Sequence, residues 1–425
     1  MTMHRRDFLA GALAGAAFLA LPKKRTRAAA MTTPKNLMII LSAGGWDTTY
    51  ALDPKPGLKT VDAPAGQVKS FGNLDILVDP SRPAINAFFE KYAPLTAVVR
   101  GISVRSVSHS ECRKRMLTGT PSASSPDLGA ICAHDLGREL PLPYLILGDE
   151  AFTGPLAASA GRVGLTNQIT ALLDPAKAYE RPANAAYPAS AFVPDGADEK
   201  AIRAFVTARA ERERAQRGQL GENRARIDDF ESSLGRGDKL KPFAKSFGSR
   251  GRNLALSAQG ELASDVIGQG ISRAAMLDSR ISWDTHQNNA DQGAFHNKLF
   301  SELGGILDGL AARKGAKTGN TLLDETVVVV MSEMSRTPKL NAAQGKGHWP
   351  VTSALIIGPG VKGGHAFGAT TDRMEASPIN FATGAPDKDG GTLQTDNLAA
   401  GVLELCGADV DRYFSGTERL RGFIA

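Results

Sequence analysis

Residues 326–360 read TVVVVMSEMSRTPKLNAAQGKGHWPVTSALIIGPG, and this stretch decides the fold of the chain. The run from Val327 to Met331 has no polar residue, which is typical of a strand buried on both faces of a parallel sheet. A second apolar run, from Ser353 to Pro359, predicts another buried strand ending in a Gly-Pro-Gly turn. Three chemically active side chains lie between the two strands: Glu333, Arg336 and His348. Sites in open α/β sheets collect beyond the carboxyl ends of strands, so the stretch predicts both an α/β fold and the position of its site.

The amino-terminal residues have the pattern of an export signal. Arg5-Arg6-x-Phe8-Leu9 is a twin-arginine motif, Leu9 to Leu21 is apolar, and Ala28-Ala29-Ala30 supplies a cleavage site. The apolar segment has about 13 residues, fewer than the roughly 20 that span a bilayer, so a membrane anchor is disfavoured. We therefore predict a signal peptide at residues 1–30, the twin-arginine export machinery as a partner, and a periplasmic or secreted protein with no membrane span after cleavage.

Charge, length and cysteine content describe the remainder. The whole chain has a formal net charge of +6, and residues 1–30 contribute +5 from six Lys and Arg residues and one Asp. Residues 31–425 are thus nearly neutral, and their composition does not point to nucleic acid. Their length suits one large α/β domain with insertions, or two domains. The odd number of cysteines, without CxxC spacing, argues against a disulfide framework but leaves a single bridge open. The cysteines are Cys112, Cys132 and Cys406.

Helical patterns occupy several segments. A helix is predicted near Pro83 to Tyr92 and a long one at roughly Gly293 to Arg313. From Asp198 to Leu234, Glu, Arg and Ala alternate with enough apolar residues for an amphipathic helix whose charges face solvent. Leu254 to Leu277 is predicted to be helical again. We treat residues 198–277 as a helical insertion rather than a separate catalytic module.

The strand Asn36–Leu41 leads into Gly44-Gly45-Trp46-Asp47. This sequence lacks the GxGxxG spacing of a dinucleotide-binding loop. Asp47 is therefore either an acid of the site or a turn and helix-cap residue.

The strand from Leu95 to Arg100 is followed by Ser108, His109 and Ser110. These residues begin a helical run, and a helix amino terminus is a natural binding site for an anion. Ser108, His109, Ser110 and Cys112 are all candidate nucleophiles or ligands. In the alternative interpretation a serine caps the helix and His109 is solvated.

Asp284 and His286 form the next candidate pair. They are two residues apart, so in an extended segment both side chains face the same side. A carboxylate and an imidazole held together suit a metal ion, and a hydrogen-bonded polar pair is the alternative. The following helix returns the chain to the strand at Val327, in the outline of a βαβ crossover.

The candidate ligands are oxygen and nitrogen atoms without thiolates, which suits one or two divalent ions such as zinc, manganese or calcium. One grouping places Asp284, His286 and His348 around one ion. Asp47, Glu333 and His109 would then surround a second. Two such ions fit in-line displacement at a phosphate or related ester, with Arg336 clamping the anion.

Four blocks of the chain resemble those of a bacterial export family. They are Gly44-Gly45-Trp46-Asp47, Trp283-Asp284-Thr285-His286, Ser332-Glu333-Met334-Ser335-Arg336-Thr337-Pro338 and Gly347-His348-Trp349-Pro350. The family is domain of unknown function 1501, and the likeness covers nearly all of residues 31–425. It implies an alkaline phosphatase and sulfatase-like domain, in which helices sandwich a central mixed, mostly parallel sheet and metal ligands lie at strand ends.

Three features depart from the phosphatase and sulfatase pattern, and one of them is that Asp284 and His286 are closer together than the usual phosphatase spacing. His109 is similar in position to the nucleophile of that superfamily, which leaves Ser110 or Ser108 to supply a hydroxyl. Glu333-Met334 replaces an Asp-His pair. The resemblance implies a metal-dependent hydrolase of phosphate, sulfate or related esters, with His109, Ser110 and Arg336 in catalysis. The alternative is a non-catalytic binding or structural protein on the same fold, which would bind an envelope polymer or a partner.

Overall fold

The apolar runs of the sequence form the strands of a central sheet. The computed structural model describes residues 33–162, 169, 195–218, 221–243, 247 and 254–425. The predicted signal peptide at residues 1–30 lies outside the described residues. The strands are β1 Asn36–Leu41, β2 Gln67–Phe71, β3 Leu74–Val78, β4 Thr96–Ser103, β5 Tyr144–Ile146, β6 Ala160–Arg162, β7 Ala274–Asp278, β8 Thr326–Met331, β9 Ser335–Arg336, β10 His348–Trp349, β11 Val351–Ile357, β12 His365–Phe367, β13 Pro378–Ile379 and β14 Gly391–Thr392. The helices are α1 Pro83–Tyr92, α2 His109–Thr118, α3 Leu128–Gly137, α4 Gly196–Arg217, α5 Glu222–Leu240, α6 Leu256–Gly268, α7 Gln292–Ala311, α8 Thr395–Cys406 and α9 Val410–Tyr413.

The central sheet is mixed and mostly parallel. Within the described ranges it has eight strands in the order β12-β4-β11-β8-β1-β7-β5-β6. β1 lies between β8 and β7 and is parallel to both. β11 runs antiparallel to its two neighbours, β4 and β8. The predicted α/β class with a mixed, mostly parallel sheet is confirmed.

Helices cover both faces of the sheet. Met38 and Ile40 of β1 pack into the core on one face, with residues of α1, α6 and α7. Leu37, Ile39 and Leu41 belong to the core on the other face, with residues of α2, α3 and α8. Every residue of β1 and β8 is buried, which explains why neither strand alternates polar with apolar residues.

Strand direction brings the candidate residues to one edge of the sheet. β1, β4, β7 and β8 run the same way, so the loops after their carboxyl ends emerge at the same edge. β11 runs the opposite way, and the residues before it therefore arrive at that edge too. The five loops carry Gly44, His109, Asp284, Glu333 and His348, respectively.

Two of the predicted helical segments have different bounds in the structure. α4 ends at Arg217 and α5 begins at Glu222, so the charged segment forms two helices packed on each other. The helix prediction for Leu254–Leu277 is wrong after Gly268, because residues 274–278 form β7 in the sheet. Pairing with β1 and β5 overrides the helical preference of Ala, Met and Leu there. Among the described helices, none combines the length and apolar character needed to cross a bilayer.

Candidate metal centre

Asp284, His286 and His348 meet at the carboxyl edge of the sheet. The Nε2 atoms of His286 and His348 are 2.9 Å apart. Asp284 Oδ1 lies 3.2 Å from the first and 3.4 Å from the second. A point slightly above the plane of these three atoms lies about 2 Å from each of them, and 2 Å is the length of a zinc–ligand bond. The geometry of the three side chains therefore fits one metal ion.

Hydrogen bonds fix the tautomers of two histidines. His348 Nδ1 lies 2.7 Å from the Val107 carbonyl oxygen, which can only accept, so Nδ1 carries the proton. His109 Nδ1 donates to Glu333 Oε1 at 2.6 Å. In the neutral imidazoles, each Nε2 then presents a lone pair.

His109 adds a fourth ligand atom to the cluster. Its Nε2 is buried, has no hydrogen-bond partner among the described residues, and lies 3.5 Å from Asp284 Oδ2. His109, Asp284 and His348 each offer a ligand atom within 4.8 Å of the others. Lone pairs gathered in this way repel one another unless a proton or a metal ion lies between them. The orphaned nitrogen is thus a second observation that fits a metal ion.

Electrostatics keep the carboxylate ionised. Burial by itself raises the pKa of Asp284, but the hydrogen bond and charge of Arg336 outweigh it and lower that pKa. Desolvation lowers the pKa of His286, which favours the neutral imidazole that binds metal. The hydrogen bond to Glu333 raises the pKa of His109, so protons compete with a metal ion for this residue.

Glu333, which was predicted to be a metal ligand, binds the ring nitrogen of His109 that faces away from Asp284. Its side chain is completely buried, and both carboxylate oxygens accept from the Gly44 backbone N–H at 2.8 and 3.0 Å. Ser332 Oγ donates to Oε2 at 3.1 Å, and His109 occupies Oε1. A carboxylate that orients a ligating histidine in this way raises its basicity and fixes its ring.

Arg336, which was predicted to clamp an anion, has its guanidinium engaged by protein acceptors. Its fully buried guanidinium donates to Asp284 Oδ1 at 2.5 Å and to backbone carbonyl oxygens. The carbonyls belong to Gly44, Gly45, Trp283 and Lys346. Arg336 therefore fixes the glycine turn after β1 and orients the carboxylate of Asp284.

Asp47, which was predicted to be a metal ligand, lies outside the cluster. Its carboxylate is fully buried and forms an ion pair with the equally buried Lys346 at 2.7 Å. Asn289 donates to the same carboxylate at 2.8 Å, and the Thr49 hydroxyl does so at 2.7 Å. Desolvation raises the pKa of Asp47, but the charge of Lys346 and these hydrogen bonds lower it overall.

Ser110 has no base to activate it as a nucleophile. Its side chain is exposed in the first turn of α2, and its hydroxyl lies 3.3 Å from that of Ser108. Within the described part of the chain, neither an imidazole nor a carboxylate is hydrogen-bonded to the Ser110 side chain. Of the three predicted catalytic residues, His109 alone offers a side-chain atom to the cluster.

A loop whose role was not predicted from the sequence holds the segment that carries Asp284 and His286. Lys346 N donates to Thr285 O at 3.0 Å, and Asn341 Nδ2 donates to His286 O at 2.9 Å. Beneath it, Gln292 bridges Trp283 O and the Asp47 N–H. One feature of the sequence could have pointed to this loop: Lys346 lies between two glycines, two residues before His348.

The chain matches one protein family over most of its length. A family model described as "Protein of unknown function (DUF1501)" matches residues 34–421. The chain belongs to DUF1501. No curated protein matches the chain.

Solved structures similar to this DUF1501 protein come from several bacteria. One is a protein in the alkaline phosphatase superfamily from Vibrio parahaemolyticus, with 10% identity, a TM-score of 0.40, and coverage of 89% of this chain and 67% of that chain. A sulfatase from Pseudoalteromonas has 12% identity, a TM-score of 0.37, and coverage of 93% and 73%. The lipoteichoic acid synthase from Listeria monocytogenes has 10% identity, a TM-score of 0.36, and coverage of 91% and 74%. These similarities are too distant to transfer an activity.

Glu333→Gln tests the support behind His109 in this DUF1501 protein. We expect a 10- to 100-fold loss of zinc affinity, because the neutral amide orients His109 poorly and lowers its basicity. Affinity is measured by competition with a chromophoric chelator. Glu418→Gln, at an exposed position, is the matched control. Equal zinc affinities of the two variants would show that Glu333 does not support metal binding through His109.

Gly345→Ala tests the contact between the loop and His286. A Cβ at Gly345 would overlap the His286 carbonyl group, whereas one at Gly347 would meet Thr337 Cγ2 at an ordinary 3.4 Å. We expect Gly345→Ala to lower the free energy of unfolding by about 1–3 kcal/mol and to weaken zinc binding, because His286 must move. Urea denaturation and the chelator assay measure both effects. The contact is unimportant if Gly347→Ala has the same consequences.

Proposed function

We propose that this protein is an exported metal-dependent hydrolase of phosphate, sulfate or related esters. The observation that carries the proposal is the convergence of the Nε2 atoms of His286 and His348 on Asp284 Oδ1, within 2.9–3.4 Å. His109 supplies a further lone pair beside them. The side chains of His286 and Asp284 remain 51% and 43% exposed, so a bound ion would be open to substrate.

The donor set narrows the choice of metal. Imidazole nitrogens and one carboxylate suit zinc or manganese, whereas calcium takes six to eight oxygen ligands. We therefore propose zinc or manganese and set calcium aside. When bound, the ion supplies Lewis acidity towards an ester oxygen and towards water.

One ion fits the structure better than two. The second predicted site required Asp47 and Glu333 as ligands. Lys346 already neutralises Asp47, and the carboxylate of Glu333 is taken up by Gly44, Ser332 and His109. Protein cations and N–H groups thus occupy the positions that a second ion would need.

The remaining residues of the centre orient the ligands and favour an anion. Arg336 holds the Asp284 carboxylate, and Glu333 holds the His109 ring. His109 is also the first residue of α2, whose amino-terminal N–H groups carry partial positive charge. This charge and that of a metal ion favour a phosphate or sulfate group, although Arg336 is occupied.

Two observations favour a second candidate function, a binding protein without turnover. Among the described residues, no imidazole or carboxylate is hydrogen-bonded to the Ser110 hydroxyl, and the buried guanidinium of Arg336 donates to backbone carbonyl oxygens. In this case the centre would hold an anionic envelope polymer or partner through its metal ion.

The test is a substrate screen with the protein loaded with zinc or manganese. The probes are p-nitrophenyl phosphate, bis-p-nitrophenyl phosphate and p-nitrophenyl sulfate. We expect hydrolysis of at least one probe that depends on the metal and disappears in an Asp284→Ala, His348→Ala double variant. Bound metal without hydrolysis would support the binding protein. Hydrolysis that survives in the double variant would refute the proposed centre.

The export part of the proposal depends on residues 1–30. It is supported by Arg5-Arg6-x-Phe8-Leu9 and by the apolar residues that follow. Replacing Arg5 and Arg6 with Lys should leave the full chain inside the cytoplasm of a bacterium that has the twin-arginine pathway. Cell fractionation measures the distribution, and an unchanged periplasmic fraction would contradict this route.

A further inference from the structure

Two of the three cysteines are far apart in the sequence but close together in the structure. Cys132 is in α3 and Cys406 is the last residue of α8, and both are completely buried. The helices α3 and α8 pack against each other on the same face of the sheet. The contact therefore joins the middle of the chain to its carboxyl-terminal region.

Both cysteines contact the same residue, Lys35. The Cys132 thiol lies 3.9 Å from the Lys35 carbonyl oxygen. The Lys35 backbone N–H donates to the Cys406 carbonyl oxygen at 3.1 Å, and its ammonium donates to Leu405 O at 2.7 Å. The neighbouring Cys406 thiol, together with burial, raises the pKa of Cys132 well above its usual value.

Cys112 occupies different surroundings. It lies in α2, and its thiol is hydrogen-bonded to Ser106. Desolvation raises its pKa to about 11. Cys112 thus serves as an internal control for the reactivity of a buried thiol in this fold.

We propose that Cys132 and Cys406 form a disulfide bond when the chain meets a small-molecule disulfide oxidant such as oxidised glutathione. Each thiol loses a proton, and an S–S bond forms between the two Sγ atoms. The two electrons break the S–S bond of the oxidant, which leaves as two thiols. The thiolate of one cysteine attacks first and gives a mixed disulfide, which the second cysteine resolves.

The disulfide forms during folding or local opening, because buried thiols of high pKa react slowly. It would close a loop of about 275 residues and tie α8 to α3 beside the start of β1. Long loops gain most from such a link, and for a domain of this size we expect the Tm to rise by about 5 °C. This inference does not depend on the proposed metal chemistry.

The full chain is refolded with and without a glutathione redox pair, denatured, and treated with a polymer-linked maleimide that counts free thiols. After oxidation we expect one free thiol in the wild type and a cross-linked peptide containing Cys132 and Cys406 in the mass spectrum. Cys112→Ser should then have no free thiol, and Cys132→Ser should have two. Three free thiols after oxidative refolding, or a bridge to Cys112, would overturn the inference.

Discussion

Lys346→Met is expected to lower the free energy of unfolding by about 3–5 kcal/mol at neutral pH. Lys346 and Asp47 are both completely buried, and their charged atoms are 2.7 Å apart. Methionine removes the ammonium while keeping most of the apolar stem. The Asp47 carboxylate would then be buried with hydrogen bonds but without a counter-charge, which accounts for the size of the loss.

The pH dependence of this variant has a definite sign. In the wild type Lys346 lowers the pKa of Asp47, so this contribution to stability is present above the unfolded-state pKa and is lost as the pH falls. In the variant burial raises that pKa instead. The difference in stability between the two proteins should therefore be largest near neutral pH and should shrink in acid.

Urea denaturation at a series of pH values measures the effect. Lys339→Met is the control, because Lys339 is 54% exposed and pairs with Asp62 at the surface. It should change the free energy of unfolding by less than about 1 kcal/mol. Adding Asp47→Asn to Lys346→Met should recover part of the loss. Equal effects of Lys346→Met and Lys339→Met would contradict the buried ion pair.

Asp284→Asn is expected to weaken zinc binding by more than about 100-fold. A loss of about 100-fold is the upper end for residues outside the coordination shell. Asp284 lies within 3.2–3.5 Å of the Nε2 atoms of His109, His286 and His348. The amide is nearly the same size but lacks the negative charge that offsets the ion. Its carbonyl oxygen can still accept from Arg336, so the fold should persist.

Competition with a chromophoric chelator measures this affinity, and circular dichroism checks that the variant is folded. Asp291→Asn is the matched control, because Asp291 is exposed and accepts from Asn288 near the same loop. It should bind zinc as the wild type does. Unchanged affinity in folded Asp284→Asn would exclude Asp284 as a ligand.

Two strands next to the candidate metal centre could be predicted, because a run of apolar residues by itself indicates a buried strand. β1 and β8 are uninterrupted apolar runs, and they do lie side by side in the sheet. The sequence grouped Asp284, His286 and His348 by their ligand chemistry, and the structure brings these side chains together. β7 was missed since its short Ala-Ala-Met-Leu sequence also suits a helix.

The contacts that hold the candidate ligands in place could not be predicted from the sequence, because they join residues that are far apart in the chain. Lys346 pairs with Asp47, 299 positions away, and Arg336 binds the carbonyls of Gly44 and Gly45, also far away in the chain. A lone Asp or Arg at a strand end has the same local pattern whether it binds an ion, a substrate or the backbone. Tertiary structure alone distinguishes these roles.

Zinc titration of the purified protein tests the single-ion centre most directly. Stoichiometry and affinity are read by isothermal titration calorimetry after all metal has been removed. We predict one equivalent of bound zinc in the wild type and in Ser110→Ala, and no tight binding in the His286→Ala, His348→Ala double variant. An absence of binding in the wild type, or the same binding in the double variant, would contradict the centre at Asp284, His286 and His348.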